Sequence, residues 1–222
     1  MVNGSSLLAA IRLRITTPRL ELRIPSDEDL IELAAATDDI HDPGRSPFSQ
    51  PWSEKPSPER ERLALQHHWK TRSLWSPSEW SLEFIVVLDG QVIGSQGLNS
   101  KEFAITREAT TGSWLNRKYQ GRGLGTEMRA AVLFFAFDSL GAEVAITDFF
   151  HWNERSKGVT RKLGYSPNGQ KTIVIDGKAV TVELYRMTRA NWEQNARGYV
   201  PVTVENADAC LELLGAARRG SN

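Results

Sequence analysis

The chain has 222 residues, 40% hydrophobic and 24% charged, the make-up of an ordinary globular protein of one domain or slightly more. Its 27 basic residues balance 27 acidic ones, which argues against a general nucleic-acid binder, and its one cysteine, Cys210, excludes an internal disulfide and leaves no metal cluster to expect. The longest apolar run, Ala130 to Phe137, is far too short to cross a membrane, and Leu7 to Ile11 lacks the features of a signal peptide, so a cytoplasmic protein is expected.

Residues 1 to 17 read as a loosely tied arm. Leu20, Leu22 and Ile24 alternate as in a strand closed by Pro25. Ser26 and Asp29 form a capping-box pattern, with Leu30, Leu33 and Ala34 following at helical spacing. Asp38 to Pro58 carries five prolines and a glycine and reads as a long functional loop, followed by a helix to Ser73. Leu82 to Leu88, Asp89-Gly90 and Gln91 to Gly97 predict a tight hairpin. Phe103 to Ile105 and Ala109 to Leu115 predict two further strands. The clearest helix runs from Gly123 to Leu140 and stops at Gly141. A strand over Ala142 to Phe149 and a helix from Asn153 to Leu163 follow, then a second hairpin around Asp176-Gly177 and a short helix capped by Thr188. Residues 1–198 are read as one domain and 199–222 as a tail with helical spacing from Glu205 to Leu214. The fold class is mixed α/β, with meander strands first and a β-α-β-α unit later; two hairpins exclude a purely parallel sheet.

The segment that carries chemistry is Trp114 to Thr126, WLNRKYQGRGLGT. Gly121, Gly123 and Gly125 stand between a strand and a helix, where glycine lets the backbone approach a ligand and a helix start offers unpaired N–H groups and partial positive charge. This is an anion site suited to phosphate, with Lys118, Arg122 and Arg129 close in sequence; a turn that merely lets the helix pack closely is the plain alternative. A P-loop is excluded because no Gly-Lys-Ser/Thr follows, and a dinucleotide fingerprint lacks its third glycine at Thr126.

Gln120-x-x-Gly123-x-Gly125 matches the Q/R-x-x-G-x-G/A signature of the GNAT N-acetyltransferase superfamily. The surrounding order of strand, helix, strand, Asn-led helix and Gly164-Tyr165 resembles that family too. The spelling Trp114-Leu115, Tyr119-Gln120-Gly121-Arg122-Gly123, Thr126-Glu127, Asn153-x-x-Ser156 and Lys162-Leu163-Gly164-Tyr165 is similar to the RimJ/RimL-like branch, as is Thr17-Pro18-Arg19-Leu20-Glu21-Leu22-Arg23. The resemblance covers about residues 16 to 190. It implies a GNAT fold: a central, mostly antiparallel twisted sheet with one splayed parallel pair and flanking helices.

It also implies a donor, acetyl-CoA or another acyl-CoA such as succinyl-CoA. The N–H groups of Gly121, Arg122, Gly123, Leu124, Gly125 and Thr126 would wrap its pyrophosphate, and Arg122 would face a phosphate. The strand end at Trp114 and Leu115 would bond the pantetheine arm. Asn153 would bond pantetheine amides and Ser156 would reach the departing thiolate, although local physics alone reads them as a helix cap and a first-turn serine. The tyrosine that some branches place four residues before the Gly-aromatic pair is Thr160 here. The strand glutamate of many relatives is also absent, which leaves Glu108, Glu83, Asp148 and His151 as candidate bases.

The proline- and aromatic-rich segment His41 to Trp52 is placed at the acceptor pocket, with His41, Phe48 and Trp52 as candidate lining residues. Trp69, Trp75 and Trp80 read as core or subunit contacts, which leaves homo-oligomerisation open. The expected function is transfer of an acetyl or other short acyl group to a primary amine, of a small molecule or a protein N-terminus, by direct attack in a ternary complex. The alternative is a non-catalytic acyl-CoA-binding sensor of the same fold.

Overall fold

The computed structural model describes residues 10–216; the start of the N-terminal arm and the end of the tail lie outside them. The strands are β1 (Arg14–Thr16), β2 (Leu20–Arg23), β3 (Glu79–Leu88), β4 (Gln91–Lys101), β5 (Glu108–Leu115), β6 (Val144–Phe150), β7 (Ser166–Ile175), β8 (Lys178–Thr188) and β9 (Thr203–Glu205). They form one sheet in the order β7-β8-β6-β5-β4-β3-β2-β1-β9. Every neighbouring pair is antiparallel except β5 and β6, which run parallel. The principal helices are α1 (Asp27–Ala35), α2 (Glu59–Ser73), α3 (Leu124–Phe134) and α4 (Glu154–Lys162).

Local sequence explains much of this. Ser26 accepts from the Asp29 amide while the Asp29 carboxylate accepts from the Ser26 amide, so α1 starts on a complete capping box. Both hairpins turn on Asp-Gly pairs with positive φ: Asp89 and Gly90 at 51° and 78°, Asp176 and Gly177 at 48° and 72°. Thr188 accepts from the Asn191 amide and caps the helical turn after β8.

The sheet has two differently covered faces. Leu82, Phe84, Val86, Leu98 and Ala109 face α3 and join the main core with Met128, Val132 and Phe135. Ile85, Val87 and Val92 face the other way and pack under Leu30 and Leu33 of α1 in a smaller cluster that includes Leu65 and Trp114.

Two expectations are corrected. Phe103 to Ile105 is a one-turn helix, not a strand: Phe103 is buried against Trp80 and the chain must reverse there between β4 and β5. The described part of the N-terminal arm is not loose, because β1 pairs with β2 and β9 and buries Leu13 and Ile15 in the main core. The segment after Gly198 supplies β9, then a helical turn over Ala207–Cys210, and inserts Cys210, Leu213 and Leu214 into that core. Trp80 donates its indole N–H to the Leu214 carbonyl at 2.9 Å. No described helix is long and apolar enough to cross a membrane.

Candidate active site

The site begins where two parallel strands part. β5 pairs with β6 only over Glu108–Thr110, in register with Val144–Ile146. Beyond that point β5 continues to Leu115 on β4, and β6 continues to Phe150 on β8. The result is a wedge inside the sheet, and residues 111–115 present an open strand edge to it. Thr111 and Thr147 stand at its apex: the Thr147 hydroxyl donates to the Thr111 carbonyl at 3.3 Å, and the Thr111 hydroxyl to the Ile146 carbonyl at 3.4 Å.

The glycine loop lies at the mouth, between β5 and α3. Gly121 and Gly123 have φ of 74° and 79°, a region side chains avoid, and a Cβ on Gly121 would meet nothing within 4 Å. Gly123 is the N-cap of α3 and carries no side chain to satisfy the first turn, so the Leu124 and Gly125 N–H groups are left at the positive end of the helix dipole, while the Thr126 N–H donates to the Gly123 carbonyl at 3.2 Å. These features fit a pyrophosphate. Arg122 is exposed, with its guanidinium 5.9 Å from the Tyr119 ring centre. The Gln120 amide is used by the protein itself: it donates to the carbonyls of Leu115 and Ile40 at 2.7 and 2.9 Å and accepts from Arg155 of α4. Gln120 therefore ties the loop to the end of β5.

Asn153 and Ser156 open α4. The Asn153 side-chain oxygen accepts from the Ser156 amide at 3.1 Å, the cap that local physics favours, and its side-chain N–H₂ points to no protein partner among the described hydrogen bonds. Ser156 is half-buried on the first turn, and Thr160 is fully buried one turn further on.

On the α1/α2 face, strand register assembles something distant in sequence. Glu83 of β3 lies opposite Gly97 of β4, which lies opposite Gly112 of β5. The Glu83 carboxylate leans over the first glycine, 2.8 Å from where a Cβ would be, while a Cβ on Gly112 would meet nothing within 4 Å. Two successive glycines thus make a trench from the carboxylate to the edge of the wedge. His67 of α2 approaches Glu83 at 3.6 Å and the Ser81 hydroxyl donates to it at 2.9 Å. Burial pushes the Glu83 carboxyl up, but these partners outweigh it and hold it below the ordinary value; Glu83 in turn holds the His67 imidazole above its own.

The loop residues line the same face. Trp52 sits 6.1 Å from Trp114, Phe48 5.1 Å from Trp52, and His41 6.3 Å from Phe48, ring centre to ring centre. His41 is fixed at both ring nitrogens, by the Ser53 hydroxyl at 2.7 Å and the Asp42 carbonyl at 2.8 Å. The other candidate bases are elsewhere. Glu108 sits at the closed end of the β5–β6 pair. Asp148 is ion-paired to Lys171. His151 lines a cleft of about 460 Å³ between the end of β6 and the β7–β8 hairpin. Trp80 is core; Trp69 is exposed and bonds Asp27, and Trp75 bonds the Ser81 carbonyl.

Sequence reading alone missed three supports. Glu127 on the first turn of α3 accepts from Thr17 at 2.6 Å and from Arg19 Nε at 2.7 Å, and Arg19 also donates to the Arg122 carbonyl at 3.2 Å, so the β1–β2 turn braces the glycine loop. The glycine row was invisible because only pairing brings residues 83, 97 and 112 together. Arg129 is close to the loop in sequence, but its side chain runs under the wedge, donating to Thr147 of β6 at 3.1 Å and Ser113 of β5 at 3.0 Å.

The acetyltransferase (GNAT) domain family matches residues 19–166. A curated relative from Bacillus subtilis (strain 168), named "Putative ribosomal N-acetyltransferase YdaF", is 22% identical over 114 residues, which is 50% of this chain and 62% of that protein. The match thus spans less than two thirds of that relative's length. Mycobacterium smegmatis RimJ, solved in complex with CoA-disulfide, superposes with a TM-score of 0.68 at 17% identity, over 86% of this chain and 93% of the other. RimL, a ribosomal alpha-N-protein acetyltransferase solved with coenzyme A, superposes with a TM-score of 0.63 at 16% identity, over 78% and 95%. At these identities the structural likeness speaks for the fold.

Proposed function

Because the chain belongs to the GNAT acetyltransferase family, we propose that it transfers a short acyl group from a CoA thioester to a primary amine by direct attack. The observation that carries this reading is the wedge between β5 and β6, with an uncapped helix start and positive-φ glycines at its mouth and an acid-lined trench on its far side. Donor and acceptor approach from opposite faces and meet through the gap.

The N–H groups of residues 121–126 hold the pyrophosphate, with Arg122 beside it, and the open edge at Trp114 and Leu115 pairs with the pantetheine amides. The Asn153 side-chain N–H₂ serves the same arm while its oxygen caps α4. The acceptor enters past His41, Phe48 and Trp52 and lies over Gly112, where Glu83 binds its nitrogen. An ammonium has no lone pair, so it first loses a proton, to Glu83 and outward through half-exposed His67. The neutral nitrogen attacks the acyl carbon; the C–N bond forms, the C–S bond breaks, the thiolate takes a proton from Ser156 or water, and the proton shed by the acylated nitrogen restores that donor. A covalent enzyme route is disfavoured, since Cys210 is buried and burial pushes its thiol up to about 11.

The acceptor class is a small-molecule amine or a protein N-terminal amine; the names of the YdaF and RimL relatives favour the latter. The test is calorimetry with acetyl-CoA, CoA and NAD, followed by CoA-thiol release over an amine panel that includes N-terminal peptides. Acyl-CoA binding with amine-dependent release is expected. Tight binding with no release from any amine points to a sensor instead, and absence of CoA binding removes the proposal.

A further inference from the structure

The α3 face of the wedge holds a buried cation that the fold does not neutralise. Arg129 is 3% exposed. Among the described residues it has no carboxylate partner, and the adjacent acid on its own helix, Glu127, is turned to Arg19. Its two terminal nitrogens donate to neutral hydroxyls, one from each of the parting strands, while its Nε has no acceptor.

The surroundings are under-satisfied in the same place. The Tyr165 hydroxyl lies close to Arg129 and Thr111 yet makes no hydrogen bond of good geometry. Thr160, whose carbonyl accepts from the Tyr165 amide, has an unpartnered hydroxyl, and the Gln96 side-chain oxygen, which register sets against Ser113, is an acceptor without a donor. Of the five buried side-chain polar atoms without a partner among the described residues, three can donate to an anion: Arg129 Nε and the Tyr165 and Thr160 hydroxyls.

Buried polar atoms are normally paired, and an isolated buried charge is costly. Water could satisfy the hydroxyls but would leave the guanidinium uncompensated. A carboxylate satisfies both needs: it brings one negative charge and acceptor sites for Nε–H and for the tyrosine and threonine hydroxyls. In the acyl-CoA reading on which this step rests, the acyl carbon lies in the gap, which places the end of the acyl chain towards the apex on this face.

We infer that Arg129 reads the far end of the donor's acyl group, and that the preferred donor carries a short acyl chain ending in a carboxylate, of the succinyl type, rather than a plain alkyl chain. Ser113 and Thr147 position the guanidinium across the gap, and Tyr165 and Thr160 complete the pocket.

The test compares CoA, succinyl-CoA and butyryl-CoA, the last an uncharged chain of the same carbon number, by calorimetry on the full chain. Succinyl-CoA is expected to bind about tenfold or more tightly than butyryl-CoA, the scale of a hydrogen-bonded charge. Arg129→Met should abolish that difference while leaving the affinity for CoA itself within about twofold. The wild-type comparison stands whether or not the variant folds: succinyl-CoA binding no better than butyryl-CoA overturns the inference. A folded Arg129→Met protein that keeps the preference overturns the assignment to Arg129. If CoA fails to bind at all, the acyl-CoA reading falls as well; if CoA binds and acyl charge is ignored, only this step falls.

Discussion

Gly112→Val separates stability from activity. Gly112 lies inside β5 with an ordinary strand φ, and a Cβ there meets nothing within 4 Å. Glycine within a strand is destabilising by roughly 0.5–1 kcal/mol, and a β-branched residue suits the pleat, so the variant should gain about 1 kcal/mol. For a chain of this size that raises Tm by about 2–4 °C. The same space is where the acceptor nitrogen must sit. The Glu83 carboxylate lies over Gly97, and the next strand is about 4.8 Å further on. A nitrogen about 3 Å from the carboxylate and about 3 Å from the acyl carbon is therefore centred above Gly112. Valine methyls need contacts of about 3.5–4 Å, so they displace the nitrogen by 1 Å or more, worth about 100-fold in kcat/KM. The assays are a thermal melt, calorimetry with acyl-CoA and amine-dependent thiol release. A higher Tm, unchanged acyl-CoA affinity and lost turnover are expected. A lowered Tm would show that the space over Gly112 is not open, and turnover within about threefold of wild type would refute the trench as the acceptor path.

Four further outcomes are expected. Gly123→Asp puts a negative side chain on a positive-φ residue at the start of α3 and should abolish CoA binding; normal affinity in a folded variant would remove the phosphate-loop assignment. Ser156→Ala should slow turnover more than it weakens acyl-CoA binding, whereas an unchanged kcat means that water protonates the thiolate. Glu83→Gln, which can keep the Ser81 contact, should lower kcat/KM about 100-fold with acyl-CoA affinity intact, and equal activity would move the proton acceptor elsewhere. Burial holds the His68 imidazole down to about 4, so His68 is neutral in the fold at pH values where the unfolded chain takes up a proton. Its contribution is complete above the unfolded value of 6.5 and is lost as pH falls toward 4, about 3 kcal/mol in all. Urea midpoints should drop over that window, and His68→Phe should flatten the drop; parallel wild-type and variant curves would contradict it.

Much of what depends on neighbours in the chain was legible in the residues themselves. The capping box at Ser26 and Asp29, the Asp-Gly turns, the asparagine cap of α4 and the glycine loop before α3 each rest on contacts within a few residues, where side-chain chemistry and backbone geometry leave few choices. The motif spelling carried the family for the same reason. What lay beyond reach depends on strand order and register. The Phe103 segment looks like a strand until its phenyl ring is buried and the chain has to reverse. β1 and β9 are three-residue strands at one end of the sheet whose pairing is set by distant partners.

The site divides in the same way. Sequence alone pointed to the loop proposed to hold an anion, because positive φ and an uncapped helix start are local properties. Only the tertiary structure decided what surrounds the reacting centre. Glu83, Gly97 and Gly112 form one row because three strands pair in a single register, and Arg129 lies beneath the wedge because α3 crosses the point where β5 and β6 part. A carboxylate, an opening and an unneutralised cation take their meaning from what stands opposite them, and nothing along the chain specifies that.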